Sequence, residues 1–463
     1  MNKSAATKPF ALVFGLFLGL CIWKFGNPAI LDHRIFVPRT PEEFLTEAWP
    51  LHWANWLLVP LALWAGGLAA QNPQRPRLPR ALLWLPLIWI GWQGLAAGYT
   101  VDRDLTQATL WQLGGCVACY YIGAWVLAGQ EIRKFLCLGI FAALAFCLIR
   151  AVDQRVYEFP TNYEVLVEGE KNGWTNFPAA TLEDMRQSQV VITTNGVEVA
   201  NPLILEKFKK ARVPGTLVYP NALAGLILLL FPLAWVAAQQ GTRTMRPPIR
   251  FALFGLTLFL GGASFLWTGS KLGWLLALMV ASLYLWRRPG STRVKIGAVA
   301  VVLVVGLGVF ALRFQHYFAH GATSTSARLD YWHAAVQNTG NHPLVGSGPG
   351  TFQRPYAQLK APESEMARLT HNDYLEQFSD SGIPGGLAYT LWIGWALWFC
   401  ARRVWKSTDA WHFALFAGVL AWFVQGLGEF SLYIPGLAWV TFTLLGCLIG
   451  SEINKIDKKN AGL

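Results

Sequence analysis

At 463 residues the chain could hold several soluble domains or one large membrane domain. Its composition selects the second, with 54% hydrophobic and only 14% charged residues, against roughly 25% charged in ordinary soluble domains. The net charge of +12 is scattered over short segments between apolar runs. It forms no continuous basic stripe or recognition helix, which argues against a nucleic-acid partner and for anionic membrane lipids.

A bilayer-crossing helix takes roughly 20 apolar residues. Twelve runs near that length occur, at 10–26, 51–70, 81–98, 107–128, 133–151, 216–238, 250–268, 271–287, 294–313, 384–401, 410–428 and 432–451. Lys3 and Lys8 precede the first run as in a signal peptide. No small-x-small cleavage site follows, only Lys24-Phe25-Gly26-Asn27-Pro28, so an uncleaved first helix is expected. All seven cysteines fall in apolar runs, which leaves the polar stretches without a disulfide. Cys116-x-x-Cys119 lies inside a membrane run and reads as packing rather than a redox or zinc pair.

Sidedness follows from the positive-inside rule. With the N-terminus inside, the inner segments hold Lys3 and Lys8; Arg75, Arg77 and Arg80; Arg133 and Lys134; and Arg243, Arg246 and Arg250. They continue with Arg287, Arg288, Arg293 and Lys295; Arg402, Arg403 and Lys406; and Lys455, Lys458 and Lys459. The short outer loops hold only Arg34, Arg39, Arg103 and Lys271. Both termini are thus expected in the cytoplasm, with two long polar segments outside.

The first outer segment spans 152–215. Its β-branched residues around Asn195-Gly196 predict a hairpin over 190–199, and a basic helix, Pro202–Arg212, follows. The second spans Phe314–Ile383. Within it, residues 326–337 have a helical period, with Leu329, Trp332 and Val336 on one face and Gly340 as terminator. Arg328 falls in the first turn, where a cation opposes the helix dipole and hints at an anionic partner. Gly346, Gly348 and Gly350 lie in His342–Phe352; they form either an anion-binding nest or a structural turn. Asn372 can cap a short helix ended by Ser381-Gly382, with Asp373 and Glu376 in its early turns. His371 then sits beside the positive end of the dipole, which favours a neutral ring. It is either a general base or a loop histidine bonded to nearby backbone. Lys271, at an outer helix mouth, is either a phosphate contact or a snorkelling lysine. Arg150 and Glu429, near the same face, read as structural partners or snorkellers.

Taken together, several stretches resemble the O-antigen ligase and polymerase superfamily of bacterial envelope proteins. They are Arg212–Ala224, Gly269–Trp274, Arg328 with Trp332, His342–Phe352 and His371–Glu376. The resemblance covers Arg212 to the end. It implies a metal-independent, cofactor-free, inverting glycosyltransferase of the GT-C-like membrane fold, at the outer leaflet of the bacterial inner membrane. Such a protein moves a glycan from an undecaprenyl diphosphate carrier to an acceptor hydroxyl. The acceptor is a lipid A–core sugar in ligases, a growing chain in polymerases, and Ser or Thr in protein O-glycosylating relatives. By that resemblance Arg328 holds the diphosphate, His371 activates the acceptor, and Lys271 stands where arginine is frequent, keeping the charge but not the bidentate fork. Asn372, Tyr374, Glu376, Gly346, Gly348, Gly350 and Asn221 are the implied substrate-binding residues.

The expected architecture is an all-α polytopic membrane protein of about 12 transmembrane helices, with a large, partly helical outer loop between the ninth and tenth. It divides into membrane helices over 1–151, an insertion over 152–215, helices over 216–313, a catalytic loop over 314–383, and helices with a tail over 384–463. The competing readings are a solute transporter, which would place polar groups near the bilayer midplane, and a scaffold with a degenerate site.

Overall fold

The computed structural model describes residues 3–319 and 323–460. Residues 320–322, within the polar loop expected over 314–383, lie outside the described residues. So do the side chains of Lys3, Lys458 and Lys459, which were counted in the charge alternation.

In chain order, α1 (Lys3–Lys24) is followed by a short α2 (Pro41–Thr46), then α3 (Leu51–Ala70), α4 (Arg80–Ala96), α5 (Arg103–Trp125) and α6 (Arg133–Asp153). A π-turn carries α6 directly into α7 (Phe159–Lys171), so the rod outlasts the apolar run. The insertion continues with α8 (Ala179–Gln187), strands β1 (Val191–Thr194) and β2 (Val197–Ala200), and α9 (Pro202–Lys210). Next come α10 (Pro220–Gly241), α11 (Pro247–Thr268), α12 (Lys271–Arg287), α13 (Thr292–Ala319) and α14 (Thr323–Asn341). The chain ends with α15 (Gln353–Leu359), α16 (Asp373–Val404), α17 (Ala410–Gln425) and α18 (Pro435–Asn460).

Each of the twelve apolar runs is a helix, and the chain is an all-α polytopic membrane protein. Among the described residues nine helices are long and apolar enough to cross a bilayer. Of the other three, α12 and α17 have 17 and 16 residues, and α5 buries Thr106, Thr109 and Gln112. The apolar surface of the outer helices supports the membrane assignment. Phe251, Val304 and Leu312 are more than 70% exposed, a cost that lipid removes and water does not.

Contacts between loops orient the bundle. Val218 N–H donates to Gly26 O, and Gly436 N–H donates to Phe25 O, so the end of α1 and the starts of α10 and α18 share one face. At the other face Ser451 bonds Ala128 O and Arg133 approaches Asp409. Alternating helix direction then puts segments 26–50, 152–219, 314–382 and 426–434 on the first face.

At the centre, α18 lies against α5 at backbone contact. A Cβ on Gly123, Gly446 or Gly450 would stand 2.1–2.2 Å from the carbonyls of Thr443, Tyr120 or Ala124. Without a hydrophobic drive between helices in lipid, small residues that admit such approach supply the dispersion contacts.

The hairpin forms as its sequence predicts. Thr194 pairs with Val197, and Asn195 and Gly196 both take positive φ, 53° and 78°, the type I′ geometry. It packs on α7 around Leu166, Trp174, Val191 and Ala200. The basic helix ends two residues early, at Lys210, where Ala211 turns left-handed.

The helix expected over 326–337 differs in extent and in face. It runs from Thr323 to Asn341, so Gly340 lies inside it and Pro343 follows its end. Arg328 therefore stands beyond the first turn, and the expected dipole conflict is absent. Leu329 and Val336 are 56% and 59% exposed, whereas Tyr331, Ala334, Ala335 and Asn338 are buried. The alanines permit close approach, and Asn338 Nδ2 bonds Ser379 O and Ser347 Oγ. The short helix expected after Asn372 forms, but it does not stop. Ser381 and Gly382 (φ +69°) kink it, and its continuation is the tenth apolar run.

Replacing Gly446 by Val should destabilise the α5–α18 contact by about 1–3 kcal/mol, the usual cost of overpacking. Thermal unfolding in detergent should show a lower midpoint for this variant. The same change at Gly94, where a Cβ meets nothing within 4 Å, should leave the midpoint nearly unaltered.

Candidate active site

Five chain segments converge on one carboxylate. Glu429 lies in the turn between α17 and α18 and has no exposed surface. Its Oε1 accepts from Arg328 Nη2 and Asn221 Nδ2, both at 2.7 Å. Its Oε2 accepts from the Tyr219 hydroxyl at 2.7 Å. Beyond Asn221, Arg212 donates from Nη2 to Asn221 Oδ1 at 2.8 Å and from Nε to Thr268 O at 2.7 Å. Burial alone would push the Glu429 carboxyl upward. His371 alongside, the Arg328 charge and the Tyr219 hydroxyl outweigh it and hold the group below the ordinary range.

His371 faces the same carboxylate. Its Nδ1 stands 3.7 Å from Glu429 Oε2, beyond a normal hydrogen bond, and makes no other hydrogen bond. The ring lies between Tyr331 (centroids 5.9 Å apart) and Phe430 (4.7 Å). The residue takes φ +53°, a conformation that costs of order 1 kcal/mol or more in a non-glycine residue and persists only where its surroundings impose it. They do so here. Thr370 O accepts from Trp332 Nε1 at 3.1 Å, and Thr370 N–H donates to Glu376 Oε2 at 2.6 Å. Asn372 Oδ1 caps α16 through Tyr374 N and Leu375 N. Asp373 ties that helix start to the Glu429 turn, with Asp373 N–H donating to Gly426 O at 2.7 Å and its carboxylate accepting from Leu432 N.

Lys271 opens α12 behind the Ser270 cap. Its Nζ lies 3.7 Å from the Tyr317 ring centre and within the electrostatic reach of Arg212 and Arg328. Arg328 and Arg212 thus lie about one anion, Lys271 lies within electrostatic reach of both cations, and the three positive charges exceed that of Glu429 by about two.

Of the residues singled out in the sequence, His371, Arg328, Lys271 and Asn221 come together here. The others are engaged elsewhere. Asn372 is a helix cap. Tyr374 donates to Phe423 O, and Glu376 is buried on Thr370. Gly346, Gly348 and Gly350 all take positive φ, but the loop's N–H groups face α16: Gly350 N–H donates to Asp380 Oδ2 at 2.6 Å and Gly348 N–H to Asp380 O at 2.8 Å. The loop's N–H groups are thus taken by the protein's own Asp380. Arg150 pairs with Asp153 and Glu158 as a structural partner.

Glu429, read from the sequence as a structural partner or snorkeller, is the hub. Arg212 and Tyr219 join it without having been marked as site residues. A polar residue at the mouth of an apolar run, the signal that drew attention to Lys271, is present at both Arg212 and Glu429. Among the described residues no three His, Cys, Asp or Glu side chains converge as metal ligands.

This arrangement defines a polytopic membrane protein with a cation-rich polar site at one membrane face. Residues 256–390 match the family model described as O-antigen ligase, which supports the resemblance to the O-antigen ligase and polymerase superfamily. A comparison with curated proteins finds no match. The matched segment contains Lys271, Arg328 and His371. Arg212, Tyr219, Asn221 and Glu429 lie outside it and complete the cluster from flanking helices.

Replacing Glu429 by Gln should cost about 1.5–3 kcal/mol, the range for hydrogen bonds to charged groups. A carboxyl with a depressed folded-state value stabilises the fold above its unfolded value, about pH 4.3, and loses that contribution as pH falls through the folded value. The gap in melting temperature between wild type and Glu429→Gln should therefore be full at pH 7 and narrow as pH falls below about 4.3.

Proposed function

We propose that the chain is an inverting glycosyltransferase. In this reading it takes a glycan from undecaprenyl diphosphate and passes it to an acceptor hydroxyl, in the manner of an O-antigen ligase acting on lipid A–core at the outer leaflet of the inner membrane. The supporting observation is the cluster in which Arg328 and His371 face Glu429 while Arg212 and Lys271 stand within electrostatic reach of Arg328, together with the family match over 256–390.

The chemistry follows from charge. The acceptor oxygen attacks the anomeric carbon of the donor sugar. The carbon–oxygen bond to the diphosphate breaks, and its electron pair stays on the departing phosphate oxygen. Fixed cations around that oxygen lower the barrier, because they need no reorganisation as charge develops. Two excess positive charges suit a diphosphate diester. His371 takes the acceptor proton on Nε2, while Glu429 faces Nδ1 and orients the ring. Such contacts are often long in the substrate-free state and tighten in the reactive complex. A cluster at a membrane face, fed by loops, also suits a transferase better than a transporter, whose binding groups sit near the midplane.

His371→Ala should lower transfer by about 10²–10⁴-fold while the protein remains folded in the membrane. Retained activity removes the base assignment. Lys271→Arg should keep activity and Lys271→Ala lose about 10²-fold; an active Ala variant makes this lysine a snorkeller. Electrophoresis of envelope lipopolysaccharide and glycoproteins from a deletion strain separates the acceptors. Loss of long chains from core, with polymer left on the carrier, indicates a ligase. A single repeat on core indicates a polymerase, and altered glycoproteins alone indicate a protein glycosylase.

A further inference from the structure

At the face opposite Glu429, a cavity of about 1060 Å³ opens between α1, α6, α10 and α17. It has two chemically distinct parts. The mouth presents Lys8 from α1 and Arg133 and Lys134 from the start of α6, with Glu131 and Gln240 beside them. The wall behind is apolar, made by Leu138 and Phe141 of α6 and Ala237 of α10.

The three cations are not equivalent. Arg133 points inward: its Nη2 stands 2.7 Å from His412 Nε2, its Nη1 3.8 Å from Asp409, and its guanidinium 5.7 Å from the Trp411 ring centre. Lys8 lies 4.0 Å from Glu131 and is 39% exposed. Lys134 is exposed, with Nζ 5.1 Å from the Phe135 ring centre. Glu131 offsets one of the mouth's charges and Asp409 engages Arg133, so the mouth keeps an excess of one positive charge, carried by Lys8 and Lys134 together. Lys134 is the second residue of α6 and Lys8 lies in the second turn of α1, both near the ends of candidate membrane spans.

We propose that this cavity is a binding site for a diacyl glycerophospholipid with an anionic headgroup. The phosphate lies between Lys8 and Lys134, and one acyl chain runs along Leu138 and Phe141. Charge complementarity names the occupant. A zwitterionic lipid brings its own cation to a mouth that already has an excess, and a soluble phosphate has no use for the apolar wall. Basic pockets between membrane helices bind acidic headgroups for this reason. The site is separate from the Glu429 cluster and does not depend on the transferase reading.

The test is native mass spectrometry of the full-length protein from mixed micelles holding equal amounts of phosphatidylglycerol and phosphatidylcholine of the same chains. Wild type should retain phosphatidylglycerol in preference. The Lys8→Gln/Lys134→Gln protein should lose about fivefold of that preference per lysine. Arg288→Gln/Arg293→Gln removes equal charge at exposed positions on the same face, outside the cavity, and should retain lipid as wild type does. Equal retention of the two lipids by wild type overturns the proposal. So does a Lys8/Lys134 variant that matches the Arg288/Arg293 control. Displacement of the retained lipid by millimolar glycerol 3-phosphate also overturns it, because the site would then take a soluble anion.

Discussion

The polar face of this protein is organised by the need to satisfy one buried carboxylate. Removing an ionised carboxyl from water costs several kcal/mol after relaxation, and the group stays ionised only if charge and hydrogen bonds replace its hydration. Glu429 obtains them from Tyr219, Asn221 and Arg328, with His371 close by. Those donors arrive on the approach to α10, on α14 and on the approach to α16. The carboxylate therefore fixes how the segments 211–221, 323–341 and 369–373 dock on the turn between α17 and α18. Asp373 reinforces the same joint by bonding Gly426 and Leu432.

The joint is also an electrostatic device. Arg328 and Asn221 share one oxygen of Glu429, and Arg212 is held one bond further out. Two cations are thus held beside one anion, and Lys271, seated over the Tyr317 ring, adds a third within their reach, with charge to spare for a ligand. Mutual repulsion would otherwise spread them. His371 is held in a strained backbone conformation by neighbours that are themselves buried and bonded, so its ring is placed before any substrate arrives. Preorganisation of this kind lowers a barrier, because no reorganisation is required during the reaction.

Much of this was legible in the sequence, because hydropathy, turn chemistry and capping are local. The twelve apolar runs are helices, Asn195-Gly196 makes its hairpin, and Asn372 caps its helix. The face of α14 was misread because its buried side is built from Ala334 and Ala335, while the larger Leu329 and Val336 point outward. A large aliphatic residue is a reliable mark of the core in water but not beside a membrane. The glycine loop reads as either an anion nest or a structural turn; no local pattern shows that its N–H groups bond Asp380, thirty positions away from Gly350. Glu429 was the deepest omission. Its hydrogen-bond partners lie 101 to 210 positions away, and a lone carboxylate between two apolar runs gives no sign of whether it meets lipid headgroups or three half-buried donors.

We propose that the cluster around Glu429 recognises a lipid-linked diphosphate through its excess positive charge. Equilibrium binding of undecaprenyl diphosphate and undecaprenyl monophosphate to the purified protein addresses it directly. The account predicts that wild type prefers the diphosphate by about tenfold or more, the worth of one charge-assisted hydrogen bond, and that Arg328→Gln loses most of that preference. Equal affinity for the two lipids in wild type, or a preference that Arg328→Gln leaves intact, would contradict it.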